Sequence, residues 1–150
     1  MSASGRTNQC LHFARLSLSE GEQAVDQGNL QIQRRHEEAA LFHSYAGLMG
    51  FCAEVAGQYG LPPVRDLAEL LSREGLPAEV VELRLLMEDG TTWLSALVST
   101  YQRALIQGLD DNRVNSSLIT SQSDYLALIR NWLIELENLV NRHREHYLEC

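Results

Sequence analysis

Lysine is missing from the 150-residue sequence, and all 12 of its basic residues are arginine. A chain without lysine cannot form a lysine Schiff base with a substrate carbonyl, and it cannot build a phosphate loop that depends on lysine. Its 20 acidic residues give a net charge of −8. Because an acidic surface repels phosphate groups, we expect no nucleic-acid partner.

Cysteine is also scarce, and Cys10, Cys52 and Cys150 show no Cys-x-x-Cys spacing. An odd number of isolated cysteines argues against a disulfide framework and against a thiolate zinc site, and fits a reducing compartment. No secretory signal pattern is visible. The most apolar stretch, 39–57, is interrupted by His43 and Glu54, whereas a membrane span needs ~20 apolar residues. We expect a soluble, cytoplasmic protein with a single domain over 1–150 and no membrane contact.

Helical periodicity runs through most of the chain. It predicts six helices, over 6–26, 30–59, 64–73, 77–87, about 92–106 and 122–148. Ser4 or Thr7 is the predicted cap of the first helix, and Thr91 or Thr92 that of the fifth. The turn-rich segment 107–121 lacks a period and is predicted to be a loop. Four long helices with a short helical insertion predict an all-α fold, an antiparallel helical bundle.

The predicted buried faces follow three- and four-residue steps. Phe13 and Val25 fall on the buried face of the first helix, and one stripe on the last helix runs from Tyr125 through Leu128 to Tyr147. A track of small residues on the second helix predicts close approach of another backbone, at Ala46, Gly50, Ala53 and Gly57. A stripe wider than the bundle could cover would be an oligomer contact, most simply a two-fold dimer.

Histidines suggest a metal site as one alternative, because helical bundles build such sites from Glu and His on facing helices. The candidate ligands are His36, His43 and Glu54 on the second helix, with His12, His143 and His146 on neighbouring helices. No Glu-x-x-His or His-Glu-x-x-His pattern occurs among them. Two histidines seven residues apart lie ~10 Å apart along a helix, too far for one ion unless other helices supply ligands between them. Histidines used in packing are the commoner interpretation.

A nuclease is a second alternative. Small helical ribonucleases of the higher-eukaryote-and-prokaryote nucleotide-binding class carry an arginine and a histidine separated by four to six residues on a late helix, and the second helix here resembles theirs. On the last helix, Arg142 and His146 are separated by three residues, one short of that spacing. Arg6 and His12 have the spacing but lie on the first helix. A likeness of helices does not carry function.

Several segments together resemble a family of small uncharacterised gammaproteobacterial proteins, catalogued as a domain of unknown function. They are Arg6-Thr-Asn-Gln, Phe13-Ala-Arg, Glu38-Ala-Ala-Leu-Phe-His-Ser-Tyr, Cys52-Ala-Glu-Val-Ala, Thr92-Trp-Leu and Tyr147-Leu-Glu-Cys. The resemblance covers most of the chain, implies a small cytoplasmic helical protein and supplies no catalytic residue. Our leading hypothesis is a non-enzymatic helical protein without a cofactor. It would act through protein contacts, with a second copy of itself as a candidate partner.

Overall fold

Six helices make up the fold in the computed structural model, which describes residues 1–109 and 124–149. They are α1 (Ala3–Asp26), α2 (Leu30–Gln58), α3 (Leu67–Ser72), α4 (Ala78–Glu88), α5 (Trp93–Gln107) and α6 (Asp124–Glu149). No strand occurs in the described ranges, which confirms the all-α prediction. Residues 110–123 and Cys150 lie outside those ranges, and with them most of the predicted loop and the first two residues of the predicted last helix.

Local sequence signals set most of the helix ends. Asn29 and Thr92 cap α2 and α5 by accepting hydrogen bonds from backbone amides, as their short polar side chains favour. The cap predicted for α1 was wrong: Ser2, with an extended backbone, accepts from the Gly5 amide at 3.0 Å. Thr7 lies inside α1, where its hydroxyl oxygen is 3.0 Å from the Ala3 carbonyl oxygen. The helix therefore starts three residues earlier than the apolar periodicity suggested.

The first two helices form a closely packed antiparallel hairpin. An added Cβ at Gly50 would stand 2.9 Å from the Thr7 hydroxyl and 3.2 Å from the Thr7 Cα. At Gly47 it would stand 2.9 Å from Leu11 Cδ2. The predicted small-residue track was correct at Gly50 and wrong at Ala53 and Gly57. The α1 backbone approaches Gly50 and the Leu11 side chain covers Gly47, whereas Ala53 and Gly57 are exposed.

The remaining helices enclose the core against this hairpin. Helix α6 contacts α1, α2 and α5. The predicted short insertion consists of α3 and α4, which pack on each other, and α4 also contacts α2 and α5. The buried side chains of α6 are Tyr125, Leu126, Ile129, Trp132, Leu133, Leu136, Leu139 and Val140. No helix in the described ranges is long and apolar enough to cross a membrane.

On α1 and α6, several apolar residues predicted to be buried are exposed instead. Phe13 and Val25 on α1 keep 36% and 37% of their surface, and Leu128 and Tyr147 on α6 keep 42% and 47%. Each helix packs on a narrower stripe than its apolar pattern allowed. On α1, the positions that face α2 and α6 hold Leu11, Ala14 and Leu18. On α6, Leu126 takes the buried place that the pattern gave to Leu128.

Candidate functional site

A ladder of three polar pairs joins α1 to α6. The amide oxygen of Asn8 accepts from Arg144 at 2.7 Å, Arg15 pairs with Glu137 at 2.8 Å, and Glu22 pairs with Arg130. Each rung lies seven residues further along α1 and seven residues earlier in α6. The two helices are therefore antiparallel in one register, with rungs about 10 Å apart.

The groove beneath this ladder holds three adjoining cavities. The middle one, of about 280 Å³, lies between the two ion-paired rungs and is lined by Arg15, Leu18, Ser19, Glu22, Arg130, Leu133, Ile134 and Glu137. Leu18 and Leu133 are buried, whereas Ile134 keeps 48% of its surface exposed. The cavities on either side measure about 230 and 250 Å³ and share Glu22 and Arg130, or Arg15 and Glu137, with it.

Four charges of alternating sign surround the middle cavity. Arg15 and Glu22 lie on α1, while Glu137 and Arg130 lie opposite them on α6. Positive and negative charges therefore alternate both along each helix and across the groove. We call these four residues the charge square. The charge square has no net charge, whereas the whole protein has a net charge of −8.

Glu54 does not line this groove's centre but anchors one end of it. Its carboxylate is 8% exposed and accepts two hydrogen bonds from Arg144, at 2.8 and 3.0 Å. The Thr7 hydroxyl donates a third, at 2.9 Å. These three hydrogen bonds come from α1 and α6, so this carboxylate on α2 ties the three helices together.

The two histidines proposed beside Glu54 are covered by α1. His36 faces Glu20, with 3.2 Å between Nδ1 and the carboxylate oxygen, and His43 meets the edge of Phe13 at 5.4 Å between ring centroids. Burial, reinforced by the positive charge of Arg6, lowers the pKa of His43. Helix α2 thus presents His36, His43 and Glu54 to three different partners on α1.

The histidines of α6 are also apart from that face. His143 hydrogen-bonds Glu82 of α4 at 2.8 Å and stacks on Phe51 at 5.7 Å between centroids. Arg142 donates to the same Glu82 at 2.7 Å, so the arginine of the nuclease alternative is engaged in an ion pair. His146 is exposed in the last turn of α6.

Within residues 1–109 and 124–149, no three His, Cys, Asp or Glu side chains are grouped so that they could hold a metal ion. His12, exposed on α1, is 6.3 Å from the Phe13 ring centroid. The metal alternative therefore gains no support from the placement of its proposed ligands. Glu79, another buried carboxylate, accepts from the Tyr59 hydroxyl at 3.0 Å in the first turn of α4, where the helix dipole favours negative charge.

The sequence contains a signal for the ladder that the apolar patterns do not show. Asn8, Arg15 and Glu22 recur every seven residues, as do Arg130, Glu137 and Arg144. Heptad spacing places each set along one side of its helix. What the spacing alone cannot give is the pairing of the two sets, because that depends on how α6 returns along α1.

Comparisons with known proteins assign the chain to a family without assigning an activity. A search of curated proteins and a search of solved structures found no match. A family model described as a family of unknown function, DUF6586, matches residues 1–150. This chain therefore belongs to the DUF6586 family of unknown function.

Proposed function

We propose that this protein is non-enzymatic and acts through protein contacts made by the outer face of α1 and α6. The charge square carries the proposal. Its four charged side chains extend from α1 and α6 and surround a cavity with an exposed apolar side chain, Ile134. An apolar centre within a polar rim is the usual anatomy of a protein interface.

The partner we propose is a second copy of the chain. In a two-fold dimer the same surface occurs on both sides, so it must be complementary to itself. A charge square of alternating sign meets this requirement, because two such squares placed face to face can bring each positive charge opposite a negative one. Complementary potentials of this kind determine which partner binds and in what register.

The experiment is a mass measurement in solution by light scattering over a range of concentrations. We expect the unmodified chain to form a dimer. The double variant Arg15→Glu/Arg130→Glu turns the charge square wholly acidic and should leave only monomer. A monomeric unmodified chain at the highest concentration would contradict the proposal.

A matched control separates the local charges from the global charge. Arg65→Glu/Arg103→Glu makes the same change in net charge at two exposed positions outside α1 and α6. We expect this control to remain a dimer. Loss of the dimer in both double variants would show that overall repulsion, and not the charge square, is responsible.

A further inference from the structure

We infer that the two copies meet about a two-fold axis that crosses the helices at the middle of the charge square, so that α1 lies on α1 of the partner and α6 on α6 of the partner. The inference rests on the proposed function and specifies its geometry. Two possible two-fold axes lie in the plane of the interface: a crosswise axis, perpendicular to the helices, and a lengthwise axis, parallel to them. Both make the charges complementary, and the structure contains a reason to choose between them.

Rotation about the crosswise axis reverses the direction of each helix but keeps it on the same side of the groove, so α1 meets α1 of the second copy. Arg15 then faces Glu22 of the second copy, and Arg130 faces Glu137 of the second copy. The lengthwise axis exchanges the sides instead, so that Arg15 faces Glu137 of the second copy and Glu22 faces Arg130 of the second copy. Both arrangements oppose unlike charges.

The apolar lining decides between the axes. Ile134 lies midway between Arg130 and Glu137 along α6, at the level of the crosswise axis, and it is the large exposed apolar side chain of the middle cavity. The crosswise axis places Ile134 on Ile134 of the second copy. The lengthwise axis would place it opposite Ser19, a polar residue. Burying apolar surface against apolar surface is the more favourable arrangement.

The level of Ser19 supports the same axis. Ser19 stands on α1 opposite Ile134 and lines the same cavity. Its short side chain leaves the two α1 helices free to approach while the isoleucines meet. Each side of the axis therefore has a contact suited to its size, apolar on α6 and small on α1.

Two charge-exchange variants test the axis without altering the net charge. The first is Arg15→Glu/Glu137→Arg, and the second is Glu22→Arg/Arg130→Glu. In each, the exchanged rung keeps opposite charges within the chain, so the α1–α6 ladder is preserved. Each exchange makes α1 carry one sign and α6 the other at these positions.

The crosswise axis predicts that each exchanged variant is monomeric alone, because like charges then face each other. Mixed together, the two variants should form a heterodimer, since the acidic α1 of the first faces the basic α1 of the second. The lengthwise axis predicts the reverse: each variant dimerises alone, and the mixture forms no heterodimer. Native mass spectrometry of one isotope-labelled and one unlabelled variant distinguishes these outcomes.

A second measurement is independent of charge. Ile134→Cys in a Cys150→Ser background should form a disulfide-linked dimer under mild oxidation, because residue 134 meets its own copy on the crosswise axis. Leu128→Cys in the same background is the control, since residue 128 is exposed on α6 and does not line the groove. Suppose that the unmodified chain is a dimer, that each exchange variant dimerises alone and that no such cross-link forms. The crosswise axis is then wrong, and the proposed function still stands. A monomeric unmodified chain overturns both.

Discussion

Glu54 on α2 and Arg144 on α6 form a two-point ion pair close to the ends of their helices. Arg144 donates from Nε and from a terminal nitrogen to the two carboxylate oxygens, at 2.8 and 3.0 Å. The carboxylate is 8% exposed and the arginine side chain 26%. The pair therefore holds the last turns of α6 against α1 and α2, where the outermost rung of the ladder also lies.

Removing the arginine should destabilise the protein strongly. Arg144→Ala removes two of the three hydrogen bonds to the buried Glu54 carboxylate and leaves the one from the Thr7 hydroxyl. Breaking a buried ion pair costs about 3 kcal/mol or more in free energy of unfolding. Urea denaturation measures this directly.

Arg15→Ala is the matched control for that variant. It removes an arginine from the next rung, where the side chains of Arg15 and Glu137 are 49% and 28% exposed. A pair so accessible to water contributes less than about 1 kcal/mol. Equal losses in the two variants would contradict the role given to the burial of Glu54.

Two glycines of α2 should respond to alanine in opposite directions. Gly50→Ala places a methyl group 3.2 Å from the Cα of Thr7, so the α1 backbone must shift. Overpacking of this kind typically costs about 1–3 kcal/mol. At Gly57 an added Cβ meets nothing within 4 Å, and alanine is the better helix former.

We therefore expect Gly57→Ala to leave the protein equally stable or to stabilise it by up to about 1 kcal/mol. The measurement is thermal and urea unfolding of both variants beside the unmodified chain. A stabilising Gly50→Ala would mean that α1 lies further from α2 than the hairpin geometry requires.

The contrast between Gly50 and Gly57 illustrates what the sequence could and could not predict. Both glycines stand in the same helix, and both belonged to the predicted small-residue track. Helical periodicity identifies a face that tolerates close packing, but which part of that face is used depends on the position of α1. The start of α5 was more predictable, because Thr92, one of its two predicted caps, acts through neighbouring backbone groups.

The same reasoning applies to the candidate site. His36, His43 and Glu54 share a side of α2, as their spacing predicted, but α1 meets each with a different group. The ladder depends on the opposite kind of information. Heptad spacing marks Arg15 and Arg130, and their carboxylate partners are determined by the antiparallel register of α1 and α6.

The two described cysteines should be unreactive in the folded protein. Cys10 and Cys52 are fully buried, and burial raises the pKa of the Cys52 thiol to about 12. Burial also raises the pKa of Cys10, an effect that the positive charge of Arg6 partly offsets. Because the thiolate is the reactive form, a Cys150→Ser variant should release no colour from Ellman's reagent until urea unfolds it. Stoichiometric labelling of that variant under native conditions would disprove the buried placement.

His43 should make the protein less stable in mild acid. Burial, and secondarily the charge of Arg6, lowers its pKa in the folded state below the ordinary value of 6.5. Around and below that pH the unfolded chain therefore binds more protons at this position than the folded protein does. Linkage then requires the free energy of unfolding contributed by His43 to fall as the pH drops through 6.5 and toward the folded-state pKa.

His43→Gln isolates this effect, because glutamine does not titrate. Its loss of the contact with Phe13 is the same at every pH. We expect the unmodified chain's stability relative to His43→Gln to decrease between about pH 7.5 and pH 5.5. Urea denaturation at four or five pH values measures the difference, with His12→Gln as a control at an exposed position on α1. A difference that stays constant or grows toward acid pH would mean that the folded protein accepts a proton on His43 as readily as the unfolded chain, and that α1 does not shield this histidine.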